Sequence, residues 1–341
     1  MQSQKDQSQM PSPEIIFETV TAYQRSAAIK AAVELDVFTA IGEGNATADQ
    51  IAKRCGTAQR GARILCDYLT LSGFLIKTDD KYSLTQESAV FLNRNSPAYL
   101  GSVTDFLLSP TVTGGFENLT EAVRNGGTPD TQGGTVAPEN PIWIKFAQAM
   151  ANLMRPTAAA IAQLIDPEAD RELKILDIAA GHGAFGIAFL SRNPKARVAA
   201  VDWPAVLEVA EENARAAGVA DRHSKIPGSA FDVDFGTGYD VVLVTNFLHH
   251  FDIPTNEKLL KNIRASLAEG GRAVTLEFVP NEDRVSPANA AGFSLTMLAG
   301  TPSGDAYTYS EIEKMFSAAG FSRSEHLQIP PSFQSLIVSY K

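Results

Sequence analysis

The sequence predicts an α/β protein with a doubly wound parallel sheet in its C-terminal half, preceded by a smaller, mostly helical region. Three observations predict this fold class. After residue 166, short apolar runs alternate with amphipathic helical stretches. The first run, residues 173–178, leads into a glycine-rich turn that opens a helix. Before it, residues 14–92 show helical patterns followed by a β-hairpin, which is the order of a winged helix.

Composition excludes several classes of function. At 341 residues the chain exceeds the usual size of one domain. Hydrophobic residues make up 44% and the net charge is −10, which argues against a nucleic-acid backbone or an anionic membrane as the main partner. The two cysteines, Cys55 and Cys66, are too few for a disulfide framework or a Cys-based zinc site. Residues 1–13 are polar and lack the layout of a signal peptide, so we expect a cytoplasmic protein.

In the N-terminal region, helical periodicity covers residues 15–35 and 59–72. Thr47 and Gln50 predict the capped start of a helix that ends at Cys55. Two short strands around a turn at residues 78–81 complete the pattern. A winged helix raises the possibility of DNA binding, but basic and acidic residues nearly balance in this region. Dimerisation or lid formation is therefore the favoured role.

The rest of the chain gives the elements of the sheet in order. We predict an exposed, irregular loop at 126–141, a long helix at 141–165, and a final antiparallel pair of strands. Gly270 and Gly271 are expected to stop the helix before the fifth strand of the sheet. The predicted strands are 173–178, 197–201, 224–227, 239–245, 272–279, 326–329 and 335–340, and the helices between them are 187–190, 205–217, 257–267 and 310–319.

The glycine turn marks the ligand site. Gly181, Gly183 and Gly186 have the spacing G-x-G-x-x-G, which nicotinamide, flavin and nucleoside-sulfonium binders share, so the motif alone leaves the ligand open. Asp202 ends the second strand, where an acid can accept both hydroxyls of a ribose. The segment from Gly228 to Phe231 ends the third strand and can flank an adenine. An adenosine-containing ligand is therefore favoured.

Three observations favour S-adenosylmethionine over NAD. Asp177 lies before the glycines, where an acid suits an ammonium group, or amide and water contacts, better than a pyrophosphate. The turn contains no Arg or Lys to assist phosphate binding. The last strand pair suits a seven-stranded sheet whose last strand is reversed.

These residues resemble those of the plant-type small-molecule O-methyltransferases, which include caffeic acid, isoflavone and hydroxyindole O-methyltransferases and bacterial relatives. The resemblance covers nearly the whole chain, and its residues occur in the family's order. In the C-terminal half they are Asp177-x-x-x-Gly181-x-Gly183, Val201-Asp202-Trp203-Pro204, Leu248-His249-His250-Phe251, Gly270-Gly271, Glu277 and Ala319-Gly320-Phe321. In the N-terminal region they are Ala28-x-Lys30-x-Ala32-x-Glu34-Leu35 and Tyr82-x-Leu84-Thr85.

The resemblance implies a class I methyltransferase, Rossmann-like, with a seven-stranded sheet, an N-terminal winged-helix dimerisation domain and a homodimer. We expect a disordered tail (1–13), the dimerisation domain (14–100), a helical connector lining the pocket (101–165) and the catalytic domain that binds S-adenosylmethionine (166–341). The implied reaction moves a methyl group to a hydroxyl of a small aromatic or polyketide-like acceptor and leaves S-adenosylhomocysteine.

The resemblance also implies site residues. His249 occupies the position of the family's general base, and Glu277 matches a carboxylate placed against that base. The implied contacts of S-adenosylmethionine are Asp177, Gly181, Gly183, Asp202, Trp203, Gly228, Ser229, Ala230, Phe231 and Asn246. The implied contacts of the acceptor are Phe146, Met150, Met154, His250, Phe293, Thr296 and Met297, whose aromatic and Met-rich character suits a flat ring.

The chain departs from the family at several positions. His250 and Phe251 replace an Asp and a Trp, and Ser229 replaces an Asp. The family's second carboxylate aligns with Ala306, so it is missing, and Asp305 is the neighbouring carboxylate that could substitute. We expect His182 to be fixed by the backbone and to face solvent. No metal is expected, because adjacent residues such as His249 and His250 point to opposite faces of an extended segment.

Alternatives remain open from sequence. The same site could transfer a methyl group to nitrogen or carbon if His249 only orients the acceptor. An NAD-dependent oxidoreductase, a methyltransferase-like protein that binds the cofactor without transfer, and a DNA-binding regulator built on the winged helix are the others.

Overall fold

The computed structural model describes residues 11–330 and 332–341, so most of the predicted tail, residues 1–10, lies outside the described residues, as does Pro331. The chain divides into two compact units, one ending at Thr104 and the other beginning at Asp105. Among the described helices, none has the length and apolar character needed to cross a membrane.

The first unit is mostly helical with one hairpin, as predicted. Its elements are α1 (Glu14–Thr21), α2 (Tyr23–Glu34), α3 (Val37–Gly42), α4 (Ala48–Cys55), α5 (Gln59–Leu71), β1 (Leu75–Thr78), β2 (Lys81–Leu84) and α6 (Gln86–Phe91), and α7 (Val103–Leu107) crosses the unit boundary. The Thr47 side chain accepts a hydrogen bond from the Gln50 amide, and Gln50 reciprocates at the Thr47 amide, so α4 begins with the predicted capping box. Phe38, Ile51 and Leu69 form the fully buried centre.

The second unit contains a seven-stranded sheet between helices. Its helices are α8 (Pro110–Glu117), α9 (Leu119–Asn125), α10 (Ile142–Ile165), α11 (Ala184–Arg192), α12 (Pro204–Ala216), α13 (Ile253–Ser266), α14 (Ala288–Gly300) and α15 (Tyr309–Ala318). Its strands are β3 (Leu173–Ile178), β4 (Ala196–Asp202), β5 (His223–Pro227), β6 (Tyr239–Thr245), β7 (Leu267–Glu277), β8 (Arg323–Gln328) and β9 (Ser335–Tyr340).

The strand order is β5-β4-β3-β6-β7-β9-β8, and only β9 runs antiparallel to its neighbours. One face of the sheet packs with α13 and α15, and the other packs with α10 and α11. The central strands are buried on both faces, which is why their sequences are continuous apolar runs. This confirms the predicted doubly wound sheet with a reversed last strand. In the sheet, β4 lies on one side of β3 and β6 lies on the other, so the direction of strand addition reverses at β3. Ligands of doubly wound sheets bind at the carboxyl ends of the strands at such a reversal.

The prediction that Gly270 and Gly271 stop the helix before the fifth strand of the sheet is wrong. Helix α13 ends at Ser266 rather than at the glycine pair, and β7 begins at Leu267 and contains both glycines. The register between β6 and β7 shifts at this end of the pair, between Tyr239 and Val241. Gly270 has φ of 73°, a conformation that a side chain disfavours, so the glycines serve an irregular strand rather than a helix end.

The loop at 126–141 is irregular, as predicted, apart from a 3-10 turn at Gly134–Val136, but it is not simply exposed. The Thr128 amide donates to Thr301 O (2.8 Å), and the Thr135 hydroxyl donates to Gly300 O (3.0 Å). The loop therefore fixes the end of α14, the helix that carries three of the predicted acceptor contacts.

Candidate active site

The glycine turn at the end of β3 contains three residues with left-handed backbone. Ala179, Gly181 and Gly183 have φ of 52°, 55° and 72°. A Cβ on Gly183 would lie 3.1 Å from Ala210 Cβ, so the turn also packs tightly on α12. Since non-glycine residues rarely adopt this conformation, Ala179 marks a point where the backbone is strained next to a candidate ligand seat.

Asp177 supports this turn through a hydrogen bond to the first turn of α11. Its side chain is fully buried, and Oδ2 accepts a hydrogen bond from the Gly186 amide (3.0 Å) in the first turn of α11. A Cβ on Gly186 would lie 2.9 Å from Val198 and 3.0 Å from that oxygen, which explains the third glycine of the motif. Oδ1 has no partner among the described groups. Burial raises the pKa of Asp177 to about 7, and the charge of Asp202 adds to the effect.

Asp202 faces the turn from the end of β4. Its Oδ2 accepts from the Gly181 amide (2.8 Å) and its Oδ1 from the Trp203 amide (2.7 Å). Burial raises its pKa to about 6, and the hydrogen bonds from the Gly181 and Trp203 amides partly offset that rise. Both carboxylate oxygens keep a lone pair, so the group can accept two further hydrogen bonds.

Other predicted cofactor contacts surround this seat. Trp203 precedes α12 and packs with Val206 and Val209. After β5, Gly228 has φ of 132°, Ser229 Oγ accepts from the Phe231 amide (3.1 Å), and Ala230 is buried. Phe231 packs edge-on against Phe251, with ring centroids 4.9 Å apart. Asn246 follows β6 with φ of 55°, and its side chain is hydrogen-bonded to Gln334.

S-adenosylmethionine fits these residues. The buried Asp202 carboxylate can accept two further hydrogen bonds, and the vicinal diol of a ribose would supply two donors. The turn offers a backbone without side chains for the amino-acid end, and Ala230 and Phe231 offer an apolar flank for an adenine. The sequence alone did not single out Arg155, whose positive charge lowers the pKa of His182 in the turn. Among the described residues, this exposed arginine has no ion pair, so it is available to a carboxylate.

His182 is fixed by the backbone, as predicted, but the prediction that it faces solvent is wrong. Its side chain is 2% exposed, and Nδ1 accepts from the Ala184 amide (3.1 Å). Its ring stacks on Phe146, with centroids 5.8 Å apart. Burial, with the field of Arg155, lowers its pKa to about 4, so the imidazole is neutral. The covering helix α10 arrives from elsewhere in the chain, so nothing near His182 in the sequence signalled its burial.

The residues predicted to act on the acceptor meet at the end of β6. His249 lies in the 3-10 turn Leu248–His250, and its Nδ1 is 2.5 Å from Glu277 Oε2. Glu277 Oε1 accepts from the amides of Phe247 (3.0 Å) and Leu248 (2.9 Å). Both side chains are nearly completely buried. Because a carboxylate oxygen is an acceptor, Nδ1 donates to Glu277, and in the neutral imidazole Nε2 then has the free lone pair.

His250 lies beside this pair in an aromatic environment. Its ring centroid is 4.3 Å from that of His249 and 5.1 Å from that of Trp143. Burial and the neighbouring His249 lower the pKa of His250 well below its usual value, so it is neutral. Trp143 in turn packs edge-on with Phe146. In residues 11–330 and 332–341, no group of three or more His, Cys, Asp or Glu is placed to hold a metal ion.

The predicted acceptor contacts are only partly brought together. Phe293 of α14 packs edge-on against His249, with centroids 4.8 Å apart. Phe278, which sequence reasoning missed, stacks on Phe293 at 3.7 Å. Thr296 is half-buried, and Met150 and Met297 are buried. Met154 instead packs into the core cluster that contains β3 and α11.

Asp305 does not stand in for the missing second carboxylate. It forms an ion pair with Arg284 (3.1 Å) at the surface and accepts a bond from the Ala306 amide. Ala306 is buried and has no polar side chain. In the described chain, the polar contact of the His249 ring is therefore Glu277 alone.

Comparisons with known proteins give the family models and relatives that this chain resembles. Residues 116–322 match the family model of the O-methyltransferase domain, and residues 17–94 match that of the O-methyltransferase dimerisation domain. A 3-hydroxy-5-methyl-1-naphthoate 3-O-methyltransferase from Streptomyces sahachiroi is 29% identical over 91% of this chain and 90% of its own. The S-adenosyl-L-methionine-dependent methyl transferase PigF from Serratia is 26% identical over 91% of this chain and 90% of its own.

A solved structure of a provisionally assigned O-methyltransferase from Nostoc punctiforme is 53% identical, with a TM-score of 0.94 over 97% of this chain and 100% of its own. The O-methyltransferase domain match alone spans more than half of the chain. This protein therefore belongs to the O-methyltransferase family and is an S-adenosylmethionine-dependent methyltransferase, as the resemblance implied.

Proposed function

We propose that this enzyme methylates a hydroxyl of a fused or polyketide-like aromatic acceptor, with His249 as the general base. The observation that carries the proposal is the buried His249–Glu277 pair at the carboxyl end of β6 and β7, 2.5 Å apart. That pair gives one imidazole nitrogen a fixed proton and leaves the other free to accept one.

The chemistry that His249 supplies is deprotonation. A phenol has a pKa of ~10 and is mostly protonated at neutral pH, so its oxygen is a weak nucleophile. His249 Nε2 takes the phenolic proton, which makes the oxygen nucleophilic, and Glu277 stabilises the resulting imidazolium. S-adenosylmethionine, when bound, would supply the methyl group from its positively charged sulfur and would leave as S-adenosylhomocysteine. The imidazolium then returns its proton to solvent.

We assign the cofactor seat to the residues around the glycine turn. Asp202 accepts the ribose hydroxyls, and Gly181 and Gly183 leave room for the amino-acid end. Arg155 pairs with the cofactor carboxylate. Asp177 contributes indirectly. Its buried carboxylate accepts a hydrogen bond from the Gly186 amide and so holds the glycine turn in place.

The remaining cofactor contacts lie further along the sheet edge. Ala230 and Phe231 flank the adenine, with Gly228 and Ser229 shaping their turn. Asn246 and Trp203 complete the seat at the ends of β6 and β4.

The acceptor class follows from the aromatic lining and from the relatives. Phe293, Phe278 and Trp143 present rings around His249 and His250, which suits a planar acceptor. The Streptomyces sahachiroi relative is named for a hydroxynaphthoate. We therefore choose 3-hydroxy-1-naphthoate as the first acceptor to test.

Assembly and location belong to the same proposal. Helix α1 has no buried residue and exposes Ile15, Ile16, Phe17 and Val20, an apolar face that suits a second copy of the chain. We propose that residues 14–100 form a homodimer interface, that residues 101–165 supply the connector, and that residues 166–341 bind the cofactor. The cytoplasmic location stays a prediction.

The test is turnover with methyl-labelled S-adenosylmethionine over a panel of phenols that includes 3-hydroxy-1-naphthoate. His249→Gln is expected to lower kcat by ~10²-fold or more while the affinity for S-adenosylhomocysteine stays unchanged. Glu277→Gln should lower kcat by a smaller factor. Unchanged turnover in H249Q would refute the base assignment. The chemical shift of a ¹³C-labelled methyl product distinguishes transfer to oxygen from transfer to carbon or nitrogen.

A further inference from the structure

The turn that carries His249 is held by side chains of two other elements. Asn256 of α13 donates from Nδ2 to Leu248 O (2.8 Å) and to Phe251 O (3.2 Å). The Tyr307 hydroxyl, from the segment before α15, donates to Phe251 O (2.5 Å). Both side chains are buried. The carbonyls on either side of His249 and His250 are therefore hydrogen-bonded by side chains of two other elements.

Glu277 holds the opposite end of the same turn, because one of its oxygens accepts from the Phe247 and Leu248 amides. A three-residue 3-10 turn has few hydrogen bonds of its own, so its geometry depends on such outside contacts. With the amides held by Glu277 and the carbonyls held by Asn256 and Tyr307, the backbone that sets the direction of the His249 side chain is fixed at both ends.

The segment that carries Tyr307 also packs directly under the turn. A Cβ on Gly304 would overlap His249 O, and the Gly304 amide donates to Thr301 Oγ1 (2.9 Å). Burial raises the pKa of Tyr307 above its usual value, with smaller contributions from nearby carboxylates, so its hydroxyl remains a donor across the working pH range. The segment thus presents a permanent hydrogen-bond donor to the turn.

We propose that Asn256 and Tyr307 are positioning residues for methyl transfer, which fix the His249 imidazole through the backbone carbonyls of Leu248 and Phe251. This inference rests on the proposed role of His249 as the base. The positioning role also bears on the missing second carboxylate. The resembled family has a carboxylate at the position of Ala306, whereas in this chain the next residue, Tyr307, supports the turn that carries the imidazole.

Tyr307→Phe tests the proposal, because it removes one hydroxyl and leaves the buried ring. Tyr309→Phe is a matched control: the Tyr309 hydroxyl also donates to a backbone carbonyl, Ser324 O (3.0 Å), which lies outside the turn. The deciding readout is the pair of His249 ring-nitrogen resonances in ¹⁵N-histidine-labelled protein bound to S-adenosylhomocysteine. The sequence has 5 histidines, so His249→Asn assigns the signals.

We expect the His249 resonances to move in Y307F and in Asn256→Ala but not in Y309F. The kcat for 3-hydroxy-1-naphthoate should fall ~tenfold in Y307F, since small misplacements of a catalytic group lower rates steeply, with KM nearly unchanged. His249 resonances that coincide in Y307F and the unsubstituted protein would overturn the proposal, as would equal shifts in Y309F.

The two proposals fail separately. If H249Q keeps its turnover, His249 is not the base, whatever Y307F does to the spectrum. If H249Q loses turnover and the ring of His249 is unmoved in Y307F, only the positioning role is refuted. Asn256→Ala removes two buried hydrogen bonds and can impair folding, so Y307F alone decides the outcome if that variant does not fold.

Discussion

Asp202 gives the cofactor site a pH dependence that can be calculated. Its carboxyl is held toward the glycine turn by the Gly181 and Trp203 amides, and burial raises its pKa to about 6. The ribose hydroxyls, the proposed partners of this carboxylate, are donors, so they should bind the ionised carboxylate in preference to the neutral acid. Cofactor affinity should therefore fall as the pH drops through about 6.

The magnitude follows from the ionised fraction. A carboxyl with this pKa is about 90% ionised at pH 7 and about 10% ionised at pH 5, so the affinity should fall about tenfold between them. Two hydrogen bonds to a charged group contribute roughly 1.5–3 kcal/mol each, so Asp202→Ala should weaken binding by ~10² to 10⁴-fold at pH 7. Asp202→Asn keeps an acceptor oxygen and should bind with intermediate affinity, and that affinity should change less between pH 7 and pH 5 than in the unsubstituted protein, because Asp177 is then the carboxyl that still titrates at this site.

Isothermal titration calorimetry with S-adenosylhomocysteine at pH 5, 6, 7 and 8 measures this dependence. Repeating the titration at pH 6 in two buffers of different ionisation enthalpy counts the protons released when the ligand binds. Asp177, with its pKa raised to about 7, is the other titrating carboxyl at this site, so Asp177→Asn separates its contribution. His182 stays neutral over this range.

Two results would refute the reasoning. The first is an unchanged dissociation constant between pH 7 and pH 5 in the unsubstituted protein. The second is the same slope in D202N, since the titrating group would then lie elsewhere. The sign for folding is opposite: because burial puts the folded-state pKa of Asp202 above that of the unfolded chain, this carboxyl lowers the stability of the folded state progressively from about pH 4 to about pH 6, and by a constant amount above that. Bound ligand should reverse that trend, so its stabilising effect should be larger at pH 7 than at pH 5.

Two further predictions concern packing and assembly. Gly186→Ala places a methyl group 2.9 Å from Val198 and 3.0 Å from Asp177 Oδ2, and should destabilise the fold by ~1–3 kcal/mol in denaturant titrations. The control is Gly292→Ala, which lies in a helix with open space around it and should be neutral or stabilising. Equal effects of the two substitutions would contradict the packing argument. Phe17→Asp should convert the proposed dimer to a monomer in light scattering, and that monomer should stay folded by circular dichroism, because no residue of α1 is buried; a dimer that persists would place the interface elsewhere.

The sequence by itself determined the frame of this protein. Strands β3, β6 and β9 have the predicted limits, because strands inside a sheet covered on both faces are continuous apolar runs. The capped start of α4 was also predictable, because Thr47 and Gln50 act locally. Motif order and the resemblance predicted the positions of the glycine turn and Asp202, and that His249 lies close to Glu277. These positions were predictable because parallel strands bring their carboxyl ends to one edge of the sheet.

The tertiary structure decided what depends on residues meeting from distant parts of the chain. It buried His182 under Phe146 and brought Arg155 near it, although the turn itself has no Arg or Lys. It paired Asp305 with Arg284, which removed the nearest candidate for a second carboxylate. It placed Asn256 and Tyr307 on the carbonyls around His249, contacts that no local pattern signals because they join three separate elements through backbone groups that every sequence has.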